Sequence, residues 1–574
     1  MTEHAHADPL VWTSPDSEPG TAEPTAPARP THEVLNQPPP PLGLNPAHDP
    51  ALREATDREG AGWVLEELEG LGARASTPLA FDWAQRANSE EPELRTHDRM
   101  GHRIDEVVYH PAWHELMRTA VAHGLQAQPW QSTRPGAHVA RAARFLVWGQ
   151  VESGHLCPMS MTYAAVGALR AQPELAAHYE PQLAATTYDP ALRPPQDKPG
   201  LLAGMAMTEK QGGSDVRRNT TVAEPTGGGG PGAEHRLTGH KWFCSAPMSD
   251  LLLVLANTEA GLGCFVVPRV LPDGTRNAVL LQRLKDKLGN RSNASAELEL
   301  DGALGWMVGE EGRGVRTIIE MVARTRLDCA VGSAALQRAA LTQALHHTRF
   351  RSAFGASLAE QPLMRNVLAD LAVESEAATA LALRLAGAAD RSEHDAHEAA
   401  LRRLGASLGK YWVCKRTPTT VAEAMECLGG NGYVEESGLP RHYREAPVNS
   451  IWEGSGNVLA LDILRALAKE PASLEAFHDE VARAEGADPR LDAAAKRLRD
   501  ELADTEAAQL RARRLVERMA LVWQGALLVR HAPPAVADAF TASRLDGDGG
   551  LALGTLPAGC DLAAILDRAD LAPA

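Results

Sequence analysis

The chain lacks an apolar run long enough to cross a membrane. Even the apolar run 251–256 ends after a few residues, whereas a membrane-spanning helix needs about 20. The first residues, MTEHAH, lack the basic start and apolar core of a secretory signal. The seven cysteines form neither a CxxC pair nor a disulfide framework. We therefore expect a soluble, cytoplasmic protein with buried, inert cysteines and no metal site.

Basic residues are also in deficit. The sequence has 57 Lys and Arg against 74 Asp and Glu, a formal net charge of −17. This balance argues against a protein that binds polyanions over its whole surface, but it leaves room for a local basic face. At 574 residues the chain is several times the length of a typical domain, so three or four domains are expected.

The composition changes along the chain and predicts an α+β multidomain fold. Residues 1–50 hold 12 of the 39 prolines and Trp12 as their single aromatic residue, which predicts a disordered, proline-rich extension over residues 1–32. Apolar periodicity predicts three helical regions, and short alternating runs predict a small β-barrel or sandwich. In chain order we expect an N-terminal helical domain (33–200), a middle β domain (201–305), a helical bundle (306–467) and an additional helical domain (468–574).

Within these regions, some helices are clearer than others. The bundle should contain three long antiparallel helices, at about 318–350, 362–389 and 399–428. In the last region a clear apolar run covers 510–528, but the periodicity before Asp500 is too irregular to define a helix.

The segment NSIWEGSGN, residues 449–457, places one carboxylate between an apolar lead-in and a run of small residues. A partly desolvated carboxylate is a stronger base than a fully solvated one. Glu453 is therefore a candidate proton-abstracting base. Taken alone, the segment is equally compatible with a solvated turn glutamate.

Two further segments carry groups that suit a flat heterocycle with phosphates. The loop MTEKQGGSD, residues 207–215, offers hydroxyls and free backbone donors, which can bind a ring carbonyl or a phosphate. The segment GHKWFCS, residues 239–245, sets aromatic faces and a hydroxyl after a turn, as stacking and one hydrogen bond require. Alone, the loop is a weak signal, and the second segment is typical of an ordinary strand.

In this order, the three segments resemble the flavin site of the acyl-CoA dehydrogenase superfamily. The stretches LKDKLGNRSNAS, EQPLMR, VAEAMECLGGNGY and EESGLPR resemble its AidB-like branch, and the similarity extends from about Glu33 to Arg465. The resemblance implies FAD as cofactor, an acyl-CoA or related thioester as substrate, and Glu453 as the base that removes the α proton while the β hydride passes to the flavin. It also implies a homotetramer, and it leaves the electron acceptor unidentified.

The resemblance further implies which residues contact FAD. Arg351 and Phe354, from the motif RSAFG, and the glycines of the GGNG turn would reach the cofactor of a neighbouring subunit, and Cys244 would lie beside the flavin as an apolar filler. Locally, Arg351 is also typical of an exposed helix-end cation, and the glycines are typical of a helix stop. Glu426 stands where many dehydrogenases have Gln, which puts the adenosine contact in doubt. The expected contacts are Met207, Thr208, Gly213, Ser214, Phe243, Ser245, Arg351, Phe354, Gly429, Gly430, Ser455 and Asn457.

The AidB-like branch is implicated in protecting DNA against alkylation, so the resemblance implies non-specific binding of double-stranded DNA by the last region. Residues 468–574 hold 13 Lys and Arg against 18 Asp and Glu, and this bulk charge does not support the role. Local clusters could contact phosphates, although a solvated helix face laced with glutamates explains them as well. One cluster is Lys496, Arg497 and Arg499, and the candidate DNA contacts are Arg511, Arg513, Arg514 and Arg518. Two hypotheses remain: an acyl-thioester dehydrogenase, and a DNA-binding protective flavoprotein with little turnover.

Overall fold

The computed structural model describes residues 31–571, so the disordered extension expected over residues 1–32 lies almost entirely outside the described residues. Residues 31–37 contain no helix or strand. From Pro38 onward the chain forms one compact unit. No helix among residues 31–571 is long and apolar enough to cross a membrane.

The N-terminal part is mainly helical, as predicted. Proline opens several of its helices, where its fixed φ is suited and its missing N–H costs nothing. A β-hairpin interrupts this part and was not predicted; the helix that the apolar run from Val108 suggested begins only at Pro111. The elements are α1 (Pro50–Thr56), α2 (Leu65–Ala75), α3 (Pro78–Ser89), β1 (Glu93–His97), β2 (Arg103–Val108), α4 (Pro111–Ala122), α5 (Ala137–Gly149), α6 (Leu156–Leu169) and α7 (Pro173–Leu183).

The middle part is a seven-stranded sheet. Its strands β6, β4, β5, β9 and β7 pair in that order, and β7 pairs back with β6, so the sheet closes on itself. Every residue of the apolar run 251–256 is buried, which explains why that strand is apolar on both faces. The strands are β3 (Ala203–Ala206), β4 (Val222–Pro225), β5 (Glu234–Ser245), β6 (Leu251–Thr258), β7 (Gly261–Pro268), β8 (Val279–Leu284) and β9 (Ser295–Val308).

Three long helices then form the bundle. They are α8 (Gly314–Phe350), α9 (Pro362–Arg391) and α10 (Ala396–Cys427), close to the predicted positions. A short hairpin of β10 (Ser352–Ala353) and β11 (Ala356–Ser357) joins the first two. The bundle continues with α11 (Leu439–Glu445) and α12 (Gly456–Lys469). With the two preceding parts, this confirms the predicted fold class.

The last part is helical and packs on the bundle. Its elements are α13 (Pro471–Ala482), α14 (Pro489–Ala503), α15 (Ala508–His531), α16 (Pro534–Phe540) and α17 (Leu562–Ala569). The stretch before Asp500, predicted to be too irregular for a helix, contains two helices, and the buried residues of α14, Leu491, Ala494, Ala495 and Leu498, do follow the helical period. Trp523 of α15 is fully buried and meets α10 at Gly405, where an added Cβ would lie 2.9 Å from the indole. The predicted boundary at residue 467 falls inside α12.

Candidate active site

Glu453 is half-buried in the turn before α12. Its carboxylate Oε2 accepts a hydrogen bond of 2.7 Å from the hydroxyl of Thr325, which lies on α8. The backbone of Glu453 is left-handed, with φ of 58°. A non-glycine residue adopts this conformation at a cost of roughly 1–2 kcal/mol, so the surrounding structure must hold it there.

Two cations hold the backbone of this turn. The Arg326 Nε donates to the carbonyl of Glu453 at 3.1 Å, and the Lys410 Nζ donates to the carbonyl of Gly454 at 2.8 Å. Arg326 is itself fixed by Asp462, at 2.8 Å. Lys410 is fully buried, and within residues 31–571 no carboxylate lies within ion-pair distance of its ammonium. The turn is therefore fixed by side chains of both α8 and α10, so the Glu453 side chain extends from a fixed backbone.

The 207–215 loop is anchored by a buried ion pair. The Glu209 carboxylate accepts from the Lys241 Nζ of β5 at 2.7 Å, and both side chains are fully buried. Glu209 also accepts from the backbone and hydroxyls of Thr220 and Thr221, at 2.6 to 3.1 Å. Burial raises the pKa of Glu209, but these hydrogen bonds outweigh burial and keep the pKa well below its usual range. The loop thus has a fixed carboxylate at its centre.

This anchor joins the loop to the strand that carries the aromatic residues. The backbone N–H of Trp242 donates to the carbonyl of Thr208 at 2.9 Å. Gly213 folds back over Thr208, because an added Cβ would lie 3.3 Å from the Thr208 methyl. Ser214 is exposed and Met207 is half-buried on the same loop. Phe243 is 54% exposed, which is unusual for a large apolar side chain at the end of a strand.

Ser245, at the end of β5, belongs to a short chain of hydrogen bonds. Its hydroxyl is 2.9 Å from the Ser295 hydroxyl, which accepts from the Lys287 Nζ at 3.0 Å. Burial lowers the pKa of Lys287 to about 8. Burial raises the pKa of the neighbouring Cys157 thiol to about 12, with Lys287 opposing. The end of β5 is therefore hydrogen-bonded to the start of β9 and, through Ser295, to Lys287.

These features fit a flat, partly apolar cofactor. The 207–215 loop and the end of β5, joined by the hydrogen bond from Trp242 to Thr208, offer an exposed aromatic face, hydroxyls and glycines. Cys244 is fully buried, and burial raises the pKa of its thiol to about 12, as suits an apolar filler. Ser455 and Asn457 are exposed where α12 begins, and its first backbone N–H groups have no partner within the helix.

Arg351 and Phe354 lie far from this group. Arg351 follows the end of α8 and is 26 residues after Thr325, which corresponds to about 39 Å along the helix axis. Phe354 and Gly355 form the turn of the β10–β11 hairpin, with φ of 56° and 88°. Phe354 is 100% exposed. One subunit therefore does not bring these residues to its own Glu453.

The GGNG turn ends α10 as the sequence indicates. Gly429 has φ of 58°, and an added Cβ on Gly429 or Gly430 would meet no atom within 4 Å. The open space is compatible with a ligand that approaches the backbone, as well as with a plain helix stop. Tyr433, just beyond the turn, is 84% exposed.

Several residues of the site were not predicted as functional. Thr325, Arg326 and Lys410 lie in helical stretches that give no local signal, since their role depends on contact with a turn more than 40 residues away in sequence. Glu209 and Lys241 lie inside the two motifs, but only the fold shows that they pair.

The four arginines proposed to contact DNA are mostly engaged within the protein. Arg511 pairs with Asp504 at 3.0 Å, and both Arg514 and Arg518 pair with Glu501, the former at 3.7 Å. Arg513 donates to the Tyr411 hydroxyl at 3.3 Å. These ion pairs reduce the positive charge that the cluster offers to phosphates.

The chain matches known protein families along most of its length. Three family models match successive parts of the chain: the adaptive response protein AidB N-terminal domain over residues 36–190, the acyl-CoA dehydrogenase middle domain over 204–303, and the acyl-CoA dehydrogenase C-terminal domain over 312–468. The chain belongs to the acyl-CoA dehydrogenase family, whose members are oxidoreductases acting on the CH–CH group of acyl-CoA.

Within that family the chain is AidB-like, as the motifs predicted. AidB of Escherichia coli (strain K12) is 47% identical over 529 residues, which cover 91% of this chain and 96% of that protein. Acyl-CoA dehydrogenase family member 11 of Caenorhabditis elegans is 30% identical over 85% of this chain and 83% of that protein. A crystal structure of Caenorhabditis elegans ACDH-11 in complex with C11-CoA matches with a TM-score of 0.81 and 27% identity, over 95% of this chain and 94% of that one.

Proposed function

We propose that this protein catalyses the FAD-dependent α,β-dehydrogenation of an acyl-CoA thioester, with Glu453 as the base. The observation that carries the proposal is the placement of Glu453. Its carboxylate is carried by a clamped, left-handed turn and accepts from Thr325, and within residues 31–571 no cation lies within ion-pair distance of it. A carboxylate held this way can remove the α proton of a thioester that lies between it and the aromatic strand.

The residues of the 207–215 loop and of β5 would hold the cofactor. Thr208, Ser214 and Ser245 would bind its polar edge and phosphates, and Phe243 would lie against its ring system, with Met207 and Gly213 shaping the loop. FAD supplies, when bound, the group that accepts the β hydride. Ser455 and Asn457 would bind phosphate at the start of α12, where backbone N–H groups and the helix dipole favour an anion.

We propose that the substrate carries a medium-length acyl chain. The support is the similarity to the worm structure, which was solved with C11-CoA and spans 94% of its own length in the match. The backbone N–H groups around Glu453 would polarise the thioester carbonyl as enolate charge develops.

We further propose a homotetramer in which subunits share cofactors. Arg351 and Phe354 are about 39 Å along α8 from the level of Thr325, and Phe354 is fully exposed in a strained turn. Contact with a neighbouring subunit's FAD would give both residues a role, and Gly429 and Gly430 leave room for the same approach.

The decisive experiment is an anaerobic titration of the purified flavoprotein with acyl-CoAs from short to long chain, monitored by flavin absorbance. We expect bleaching by a saturated acyl-CoA in the wild-type protein. In Glu453→Gln, flavin content should be retained and the reduction rate should fall by roughly 10²–10⁴-fold, because the amide keeps the size of the side chain and loses its basicity. Undiminished reduction in this variant would assign the base to another residue. A colourless protein that cannot be reconstituted with FAD would refute the proposal that FAD is the cofactor.

We propose as a second candidate function a weak, non-specific association with duplex DNA. It is supported by the family model named for an adaptive response protein and by Arg513 and Arg514, which are exposed on α15. The charge of −17 and the ion pairs of the neighbouring arginines favour weak binding.

A further inference from the structure

The Thr325 hydroxyl has more acceptors within reach than it can serve at once. It lies 2.7 Å from the Glu453 Oε2, 3.1 Å from the carbonyl of Val322 and 3.4 Å from the carbonyl of Met321. The side chain is 3% exposed, so water does not compete freely for it. A hydroxyl has one proton to donate and two lone pairs that accept.

This arrangement suits both protonation states of Glu453. When the carboxylate is ionised, the Thr325 hydroxyl donates to Oε2. After Glu453 has taken a proton, its new O–H can donate to the Thr325 oxygen, while the hydroxyl proton turns to the carbonyl of Val322. Neither state leaves a buried polar hydrogen without a partner.

We propose that Thr325 is a positioning residue that holds Glu453 in the same place before and after proton transfer. The inference rests on the proposed function, in which Glu453 is the base. It assigns to the hydroxyl a task that a fixed donor could not perform, because a fixed donor cannot accept a hydrogen bond from a protonated Oε2. The proton exchange needs no other group: one hydrogen bond reverses its direction and one hydroxyl rotates.

The electrostatics of the turn agree with this role. Within residues 31–571, no Lys, Arg or His nitrogen lies within 4.0 Å of the Glu453 carboxylate. Arg326 contacts the Glu453 carbonyl instead and is neutralised by Asp462. A cation beside the carboxylate would favour its ionised form and weaken the base, whereas a hydroxyl orients the carboxylate without adding a charge.

The test uses the full-length flavoprotein with the acyl-CoA that bleaches it, and compares Thr325→Val, which keeps the shape and loses the hydroxyl, with Thr325→Ser, which keeps the hydroxyl. Loss of a hydrogen bond to a charged group corresponds to roughly 10- to 100-fold. We expect Thr325→Val to slow flavin reduction by this factor with little change in the dissociation constant of acyl-CoA, because the carboxylate loses its orientation while the contacts that bind the thioester stay. Thr325→Ser should restore the rate.

A wild-type rate of flavin reduction in Thr325→Val would overturn the inference, and so would Thr325→Ser as slow as Thr325→Val. Flavin content and the thermal midpoint of unfolding show whether each variant is folded. If Thr325→Val does not fold, Thr325→Ala takes its place in the test. Glu453→Gln separates the proposed base from the proposed role of Thr325. If Glu453→Gln is inactive while Thr325→Val has a normal rate, only the role of Thr325 fails. If Glu453→Gln is active, the proposed base itself fails.

Discussion

Replacement of Lys241 by Met should release the 207–215 loop without touching any residue expected to contact the cofactor. The Lys241 ammonium is fully buried and binds two acceptors, the Glu209 carboxylate at 2.7 Å and the carbonyl of Leu255 at 2.6 Å. Met fills a similar volume but carries no charge. The change therefore leaves a buried carboxylate without its cation at the centre of the loop.

The size of the effect follows from burial. Removing one partner of a buried ion pair costs about 3–5 kcal/mol, because the remaining charge is desolvated and unpaired. Glu209 keeps its hydrogen bonds from Thr220 and Thr221, which favours the lower end of this range. If the loop becomes disordered and Glu209 is solvated, FAD binding must order the loop again. The FAD dissociation constant should then rise by roughly 100-fold.

The assay is flavin content per chain, the FAD dissociation constant from fluorescence quenching, and the thermal midpoint. Lys198→Met is the matched control, since Lys198 forms a buried ion pair with Asp250, just before β6, and Asp250 holds Leu202 at the opposite end of β3. Both variants should lose thermal stability, but only Lys241→Met should lose FAD. Equal FAD affinity in the two variants would refute the proposed coupling between the ion pair and the loop.

Three other predictions concern pH, packing and DNA. Burial, followed by the charge of a neighbouring carboxylate, raises the pKa of Glu445 to about 7, so the stability that protonated Glu445 contributes is present at low pH and lost as the pH rises through 7. The thermal midpoint of unfolding should therefore fall less between pH 5 and 8 in Glu445→Gln than in the wild-type protein. An equal fall in both proteins would contradict this linkage. Gly405→Ala should lower the midpoint by overpacking against Trp523, whereas Gly70→Ala, with open space around it, should raise it slightly; the opposite order would disprove the packing argument. DNA binding should weaken steeply with salt. Replacing four arginines with Gln should reduce the slope of log K against log salt and leave the FAD content unchanged, and no binding by the wild-type protein at low salt would exclude the DNA-binding role. The residues changed are Arg511, Arg513, Arg514 and Arg518.

Much of the fold follows from patterns that are local in sequence. The three long bundle helices were predicted within a few residues, because each buries a periodic apolar stripe over many turns. The β1–β2 hairpin was missed, since its strands are short and only partly buried. Both helices before Asp500 were missed as well, because alanine marks a buried face only weakly: α14 buries Leu491, Ala494, Ala495 and Leu498 at helical spacing.

The candidate site divides in the same way. Glu453 and the flavin motifs are short segments whose residue types suggest their chemistry. Thr325 and Lys410 were not found, because what they do depends on the distance from their side chains to the turn at 453–454. The arginine cluster of α15 shows the converse case: three of its four arginines share two carboxylates, Asp504 and Glu501, so the folded cluster offers less charge than its sequence suggests.

The contact of Trp523 with Gly405 bears on the order in which a growing chain can fold. The turn that carries Glu453 leaves the ribosome some 70 residues before Trp523. The packing on α10 around Gly405 is therefore completed only after α15 has been synthesised. Domains generally fold from the N-terminus during synthesis, and an uncovered apolar surface is prone to aggregate. A nascent chain that stops near residue 470 would thus carry every proposed catalytic group and still expose the apolar face of its bundle.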